Sequence, residues 1–178
     1  MTKPVLFSPV KLICGIMAST EDIFLMGEHY LQNLYGEIDS RSQAFDFTAT
    51  DYYEKEMGLY LKRKFISFSS LIPPESISRI KIETNSLEDK IRSEHGAKNR
   101  IINLDPGYLT TSALIMATAK NFSHRVPLKN GIYAHLELLF GKNDVRHLEW
   151  TYPDIINQSY HDYFRSVRKT YLSQLQKV

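Results

Sequence analysis

The chain has 178 residues, of which 43% are hydrophobic and 12% aromatic. A domain of this size buries roughly 70% of the surface of its unfolded chain, so residues 1–178 are expected to form a single domain. The composition excludes intrinsic disorder and collagen-like structure. The 22 basic and 20 acidic residues leave a net charge of +2, which is too small to indicate a polyanionic partner.

The cysteine count and the N-terminal residues bear on the compartment. Cys14 is the single cysteine, so no internal disulfide can form. Pro4, Pro9 and Lys11 interrupt the apolar N-terminal stretch, unlike a signal peptide or membrane anchor. No apolar run approaches the ~18 residues of a spanning helix. We therefore expect a cytoplasmic protein with no membrane partner.

The first half of the chain carries strand and helix patterns in turn. Residues 10–18 (VKLICGIMA) are almost wholly apolar, as expected of a strand covered on both faces. Apolar residues then recur at helical spacing as far as Gly36. Residues 44–50 and 59–68 predict two more strands, and their linker is too short for a parallel crossover, so we expect an antiparallel pair.

The second half predicts two helices and three strands. One helix follows Pro73-Pro74, and a C-terminal helix has Pro153 at its first position. Residues 100–104, 112–119 and 132–140 predict the strands. The order is βαββαβ followed by ββα. It predicts an α+β fold with a ferredoxin-like βαββαβ core extended by ββα, a largely antiparallel sheet and helices on one face.

Several common catalytic motifs are missing from the sequence. The eight glycines are widely spaced, which excludes a P-loop and a Rossmann fingerprint. The six histidines do not have the spacing of a local zinc motif. There is no G-x-S-x-G nucleophile elbow.

An acidic segment follows the predicted strand 44–50. Asp51, Glu54 and Glu56 offer three carboxylates, which suit Mg²⁺ or Mn²⁺ because these ions prefer oxygen ligands. Asp51-x-x-Glu54 also matches a capping box for one helical turn that ends at Gly58. Both interpretations are open.

A second acidic position follows the predicted strand 100–104. Asp105 stands where a catalytic acid is common, although Asp105-Pro106-Gly107 also matches a type II turn. We expect Asp51, Glu54, Glu56 and Asp105 to converge on one site, where they would hold a divalent cation or transfer protons.

Cationic side chains form another cluster. Lys120, His124 and Arg125 lie close together among hydroxyl and amide groups, a pattern that suits a phosphate or carboxylate and is also typical of a solvated loop. On the helix after Pro73-Pro74, a polar stripe predicts either ligand binding or a salt-bridged face. The stripe consists of Lys81, Asn85, Glu88 and Arg92.

Two strand patterns can be explained by structure alone, without a binding role. In residues 59–68, Lys62, Arg63 and Lys64 stand between aromatic residues, somewhat like an RNA-binding strand. The RNP1 pattern is missing, so a solvated edge strand is favoured. His135 and Glu137 share one face of the strand 132–140 and fit an exposed face.

Six ordered segments resemble a known prokaryotic family, the domain-of-unknown-function family four-four-one-six. They are TDYYEKEMG (50–58), KIETNSLED (81–89), INLDPGYL (102–109), ATAKNFSHRVPL (117–128), GIYAHLELLF (131–140) and WTYPDI (150–155). The resemblance implies a stand-alone domain of about this size and assigns no activity. His135 departs from the family pattern, in which we expect an acidic residue. The matching positions are Asp51, Tyr53, Glu54, Glu56, Gly58, Lys81, Thr84, Asn85, Glu88, Asn103, Asp105, Pro106, Gly107, Lys120, His124, Arg125, Tyr152 and Asp154.

Two functions follow as hypotheses. The first is a small or degenerate enzyme that binds a phosphorylated or nucleotide-like anion, with Mg²⁺ or Mn²⁺ as the cofactor its acids would accept. The alternative is a non-catalytic module that binds RNA or a protein through the strand 59–68. The candidate ligand-binding residues of the first hypothesis are Lys81, Asn85, Lys120, His124 and Arg125.

Overall fold

The computed structural model describes residues 3–48, 50, 53–142 and 144–177. Within them the chain forms one nine-stranded, unclosed sheet and four helices. The strands are β1 (Val10–Ala18), β2 (Ile38–Arg41), β3 (Phe45–Asp46), β4 (Lys62–Ile72), β5 (Ile102–Leu109), β6 (Ala113–Thr118), β7 (Val126–Pro127), β8 (Tyr133–Phe140) and β9 (Val145–His147). The helices are α1 (Glu21–Tyr35), α2 (Glu54–Met57), α3 (Ile77–Glu94) and α4 (Gln158–Leu175).

The sheet is antiparallel throughout its described pairs. Its strand order is β2-β4-β1-β5-β6-β8-β7, while β3 pairs with β4 and β9 with β8. The α+β class and the largely antiparallel sheet are confirmed, and the ferredoxin-like designation of the core stays a prediction. No helix in the described part of the chain is long and apolar enough to cross a membrane.

Strand β1 lies inside the sheet, and all of its residues are buried. Its side chains alternate between two cores because successive residues of a strand point to opposite faces. Leu12 and Cys14 pack with α1 and α3, whereas Ile13 and its neighbour Phe65 of β4 pack with α4. The prediction of helices on one face is therefore confirmed for α1 and α3 and wrong for α4, which covers apolar side chains that would otherwise face water.

The strand predictions hold only in part around β4. The predicted strand 44–50 contains only β3, whose two residues form the expected antiparallel pair with β4, and the unpredicted strand β2 pairs with β4 as well. β4 lies between β2 and β1, so the predicted solvated edge strand is wrong. The predicted type II turn at residues 105–107 is also wrong, since these residues lie within β5.

The sheet forks between β5 and β6. These strands pair only from Gly107 to Leu109, while β6 continues beside β8 to Thr118. Pro106 therefore has no partner residue in β6. A proline is tolerated within a strand where one side of the strand is unpaired. Gly107 stands at the branch point, where a Cβ would lie 2.5 Å from the Ile115 carbonyl oxygen.

We expect Gly107→Ala to lower the free energy of unfolding by about 1–3 kcal/mol, because the added methyl group collides with rigid backbone in a packed interior. Urea denaturation followed by circular dichroism measures the change. Ser112→Ala, at an exposed position of the β5–β6 turn, is the matched control and should change stability by less than about 0.5 kcal/mol. An equally stable Gly107→Ala protein would contradict the close approach.

Candidate functional site

The fork opens into two adjoining cavities of about 370 and 310 Å³. Both are walled by Tyr53, Lys120 and Tyr152, and together we call them the polar furrow. Chain segments that are far apart in sequence meet here. The charged side chains that line the polar furrow are Glu56, Arg63, Lys81, Glu88, Asp89, Arg100, Asp105, Lys120, Arg125 and Asp154.

Arg63 of β4 forms the floor of the polar furrow. Its guanidinium donates to Asp105 Oδ2 at 2.5 Å and to Asp154 Oδ2 at 2.7 Å, and its side chain is only 5% exposed. Burial alone would lower the pKa of Arg63, but the charges of Asp154 and Asp105 outweigh it and raise that pKa. Arg63 therefore stays charged and fixes two carboxylates from separate segments.

Asp105 is held from several directions. The amine of Lys81 donates to Leu104 O at 2.8 Å and to Asp105 Oδ1 at 3.3 Å, and Asn103 Nδ2 donates to Asp105 Oδ2 at 2.7 Å. Burial would raise the pKa of Asp105, but the charges of Lys81 and Arg63 lower it to about 2. Asp105 is thus ionised at neutral pH, and its contacts favour an electrostatic role over proton transfer.

Arg100, in the loop between α3 and β5, joins Glu56 and Glu88. It donates to Glu56 Oε2 at 2.8 Å, to Glu88 Oε2 at 3.2 Å and to Asn103 Oδ1 at 3.0 Å. Glu88 in turn accepts the Leu104 N–H at 2.7 Å. Burial raises the pKa of Glu88, against the opposing charge of Lys81. Glu56 and Asp105 therefore lie in one network that runs through Arg100 and Asn103.

The opposite wall carries Arg125 and Lys120. Arg125 donates to the Lys120 carbonyl at 2.7 Å and to the Tyr152 hydroxyl at 3.1 Å, so both bonds end on neutral groups. Its Nε is buried without a hydrogen-bond partner among the described residues. The Lys120 amine lies 5.4 Å from the centre of the Tyr53 ring. This wall presents positive charge beside two tyrosines.

Most of the predicted site residues line the polar furrow. Two do not: Glu54 is exposed on α2, and His124 lines a neighbouring aromatic cavity. Asp51 lies outside the described residues, so its predicted convergence with Asp105 stays a prediction. The predicted residues in the polar furrow are Glu56, Lys81, Asn85, Asp105, Lys120 and Arg125.

The interpretation of the polar stripe as a salt-bridged face is confirmed, because Lys81, Glu88 and Arg92 all form ion pairs. Lys81 and Glu88 are buried and, with Asn85, face the polar furrow. Arg92 instead lies 3.6 Å from Asp89 in a local ion pair on α3.

Sequence reasoning missed the roles of Arg63, Arg100, Tyr152 and Asp154. Arg63 was visible only as part of a basic strand, and no local motif marks Arg100. Tyr152 and Asp154 belong to the WTYPDI segment, so the family resemblance is the signal that singles them out.

The metal prediction receives no geometric support from the described residues, in which no group of three His, Cys, Asp or Glu side chains is placed to hold an ion. The carboxylates of Glu56, Glu88 and Asp105 are each paired with Arg or Lys instead. Because Asp51 lies outside the described residues, Mg²⁺ or Mn²⁺ stays a prediction.

The expectation that His135 and Glu137 form an exposed strand face is wrong, because both are fully buried. The residues after β9 cover them: the Thr151 hydroxyl donates to the Glu137 carbonyl at 2.5 Å, and the Tyr152 N–H donates to Glu137 Oε2 at 2.9 Å. Burial raises the pKa of Glu137 to about 8 and, with the charges of Arg125 and His124, lowers the pKa of His135 to about 4. Glu137 is therefore protonated and neutral near pH 7, and in this form its Oε2 holds the backbone of Tyr152 in place.

We expect Arg63→Met to lower the free energy of unfolding by about 3–5 kcal/mol, because Asp105 and Asp154 lose the cation they share. Arg63→Lys should lose less, since it keeps the charge but not the two-pronged geometry. Chemical denaturation measures both. Lys62→Met is the matched control, because Lys62 is half-exposed and lies 3.8 Å from Asp46, and it should cost less than about 1 kcal/mol. Equal losses at positions 62 and 63 would contradict the role of Arg63.

Glu137 should make stability depend on pH. Its pKa is raised from 4.5 to about 8 in the fold, so the folded state retains a proton that the unfolded state releases, and stability falls as pH rises through that interval. The lowered pKa of His135 acts in the opposite sense, but only between about 4 and 6.5. Between pH 6.5 and 8 the free energy of unfolding should fall by up to about 2 kcal/mol.

Glu137→Gln should remove this fall, because glutamine keeps the size and the acceptor for Tyr152 but does not titrate. Urea denaturation at pH 6.5 and pH 8 measures the difference between the two proteins. An unchanged pH dependence in Glu137→Gln would contradict a buried, protonated Glu137.

Comparisons with known proteins give one match. No curated protein and no solved structure matches the chain. A family model described as "Domain of unknown function (DUF4416)" matches residues 8–171, which include every described residue that lines the polar furrow. The family that the ordered segments indicated is thus confirmed over most of the chain, and this protein belongs to the DUF4416 family.

Proposed function

We propose that the polar furrow binds a small molecule that carries a phosphate group. The observation that supports it best is Arg125, whose described hydrogen bonds end on neutral oxygens, whereas Arg63 and Arg100 are paired with carboxylates. A guanidinium fork matches phosphate geometry. A phosphate at this wall would supply the anionic partner that Arg125 lacks among the described residues.

The rest of the polar furrow suits this role by holding its other cations in place. Arg63, Lys81 and Arg100 are paired with carboxylates. Their positive charges are therefore held in fixed positions, unlike those of flexible surface side chains. Lys120 is exposed and lies beside Arg125 and Tyr53, where it can contact an incoming anion. Donors arranged before the ligand arrives lose little entropy on binding.

The arrangement favours binding over acid–base catalysis by the predicted acids. Asp105 has its pKa lowered to about 2, far from the value near neutral that proton transfer prefers. Glu56 is paired with Arg100 at 2.8 Å. These acids orient cations, and we therefore assign the polar furrow a ligand-binding role.

The alternative of RNA binding through the basic aromatic strand has little support. Arg63 and Lys64 are both buried, and they lie on opposite faces of β4 because they are adjacent in a strand. Arg63 pairs with Asp105 and Asp154, while Lys64 pairs with Glu28 at 2.6 Å. Only Lys62 of the three is exposed, so these residues form no continuous basic surface.

Ribose 5-phosphate and inorganic phosphate are suitable first probes. We expect both to raise the melting temperature of the wild-type protein and to bind measurably by calorimetry. Lys120→Gln should weaken the binding of ribose 5-phosphate about tenfold or more, since a charge-assisted contact is lost. Arg125→Gln should weaken it at least as much.

Lys142→Gln is the matched control, because Lys142 is exposed in the β8–β9 turn, outside the polar furrow. It should bind ribose 5-phosphate like the wild type. If Lys120→Gln and Lys142→Gln have the same dissociation constant as the wild type, or if neither probe binds the wild type, the proposal is wrong. The exposed position of Lys120 keeps the test valid even if Arg125→Gln folds poorly.

A further inference from the structure

An aromatic cavity of about 650 Å³ adjoins the polar furrow. The two share Arg125 and Tyr152 as a common wall, so a single ligand can reach both. The remaining wall comes from the β6–β7 loop, from β8 and from the turn before Tyr152. The aromatic cavity is defined by Phe122, His124, Arg125, His135, Trp150 and Tyr152.

The walls of the aromatic cavity are flat rings. The His124 ring is stacked on Trp150 with centres 5.0 Å apart and planes 8° apart, and Phe122 meets His124 edge-on at 5.2 Å. Phe122 is 62% and Trp150 38% exposed, so both keep surface available to a planar group. Such surfaces stack on nucleobases because every base offers a π-face.

The histidine at the back of the aromatic cavity makes no side-chain hydrogen bond of ordinary geometry to a described residue. His135 is fully buried, and neither ring nitrogen has a hydrogen-bond partner in the described structure. Its Nδ1 lies 3.1 Å from Glu137 Oε1 without hydrogen-bond geometry, and a contact with the Trp150 backbone partly offsets the lowering of its pKa by burial. Buried polar atoms are rarely left this way, and because the His135 ring lines the aromatic cavity, a small shift of the ring would let a ligand with a polar edge satisfy them.

The electrostatics of this back wall suit an uncharged ring. Burial lowers the pKa of His135 to about 4 and raises that of Glu137 to about 8. Both side chains are therefore neutral near pH 7, and together they offer two donor protons, one N–H and one O–H, and free acceptor atoms. A nucleobase presents donors and acceptors of this kind along one edge, whereas a sugar phosphate alone presents no flat ring.

We propose that the aromatic cavity binds the base of a nucleoside phosphate whose phosphate group lies in the polar furrow. The inference rests on the proposed function for the phosphate half of the ligand and on the aromatic cavity for the base half. Arg125 and Tyr152, which line both cavities, would lie beside the sugar.

The single tryptophan of the chain is Trp150, so its fluorescence reports on the aromatic cavity directly. We expect at least one of the 5′-monophosphates of adenosine, guanosine, cytidine and uridine to quench this fluorescence and to bind about tenfold or more tightly than ribose 5-phosphate, in line with the stacking of one base. Ribose 5-phosphate should bind without quenching.

Phe122→Ala should weaken binding of the best nucleotide and leave the dissociation constant of ribose 5-phosphate unchanged. Phe7→Ala is the matched control, because Phe7 is 74% exposed and lies outside both cavities, and it should change neither. His135→Phe, which keeps a ring but removes its polar edge, should bring nucleotide binding down towards that of ribose 5-phosphate.

The two proposals fail in different ways. If no monophosphate binds more tightly than ribose 5-phosphate, the base site is wrong, while phosphate binding that still depends on Lys120 leaves the proposed function standing. If unphosphorylated nucleosides quench Trp150 as strongly as their monophosphates and ribose 5-phosphate does not bind, the aromatic cavity is supported and the phosphate site is wrong.

Discussion

The candidate site depends on the buried ion pairs of Arg63. Its guanidinium joins Asp105 on β5 to Asp154 in the segment before α4, and the Tyr160 hydroxyl of α4 donates to the Arg63 carbonyl at 2.5 Å. A charge this deeply buried is tolerated only when it is paired and hydrogen-bonded. Arg63 therefore ties the central sheet, the site strand and the C-terminal segment to one another.

The fork in the sheet gives those ion pairs a place that solvent and a ligand can reach. Had β5 and β6 paired along their whole length, residues of β6 would lie directly beside Asn103 and Asp105 and close this space. Pairing stops instead at Gly107, and the loops that follow β6 and β9 bring Lys120, Arg125 and Tyr152 across the opening. The sheet is thus interrupted where the polar side chains are concentrated.

Local sequence patterns predicted much of the fold. β1 matches its predicted bounds, and the spacing of apolar residues located α1, α3 and α4, although α4 begins at Gln158 rather than at Pro153. Short strands such as β2 were not predicted, because four residues with one buried side chain show no clear alternation of apolar and polar positions. Tertiary packing decides on which face of the sheet α4 lies. The amphipathic pattern of α4 shows only that one side of the helix is buried.

The site was predictable in its parts and not in its connections. Clusters of acids and cations were visible, but the contact between Arg63 and Asp154 spans 91 positions, and no local pattern pairs residues at that distance. Asp105-Pro106-Gly107 has the composition of a turn, yet it lies within β5, where Pro106 pairs with Cys14 of β1 and has no partner in β6. His135 and Glu137 alternate like residues of an exposed face, and only the turn around Thr151 shows that they are covered.

The charge distribution explains how the proposed anion site is compatible with a net charge of only +2. Most acids of the polar furrow are already bound to cations: Asp105 and Asp154 to Arg63, and Glu56 and Glu88 to Arg100. Their charges are compensated locally, so they repel an incoming anion less than free carboxylates would. Arg125, whose described bonds end on neutral oxygens, is not compensated by a carboxylate among the described residues, and it lines both the polar furrow and the aromatic cavity. Selectivity at such a site follows from which cation is left uncompensated and where it stands, and neither quantity can be read from the net charge.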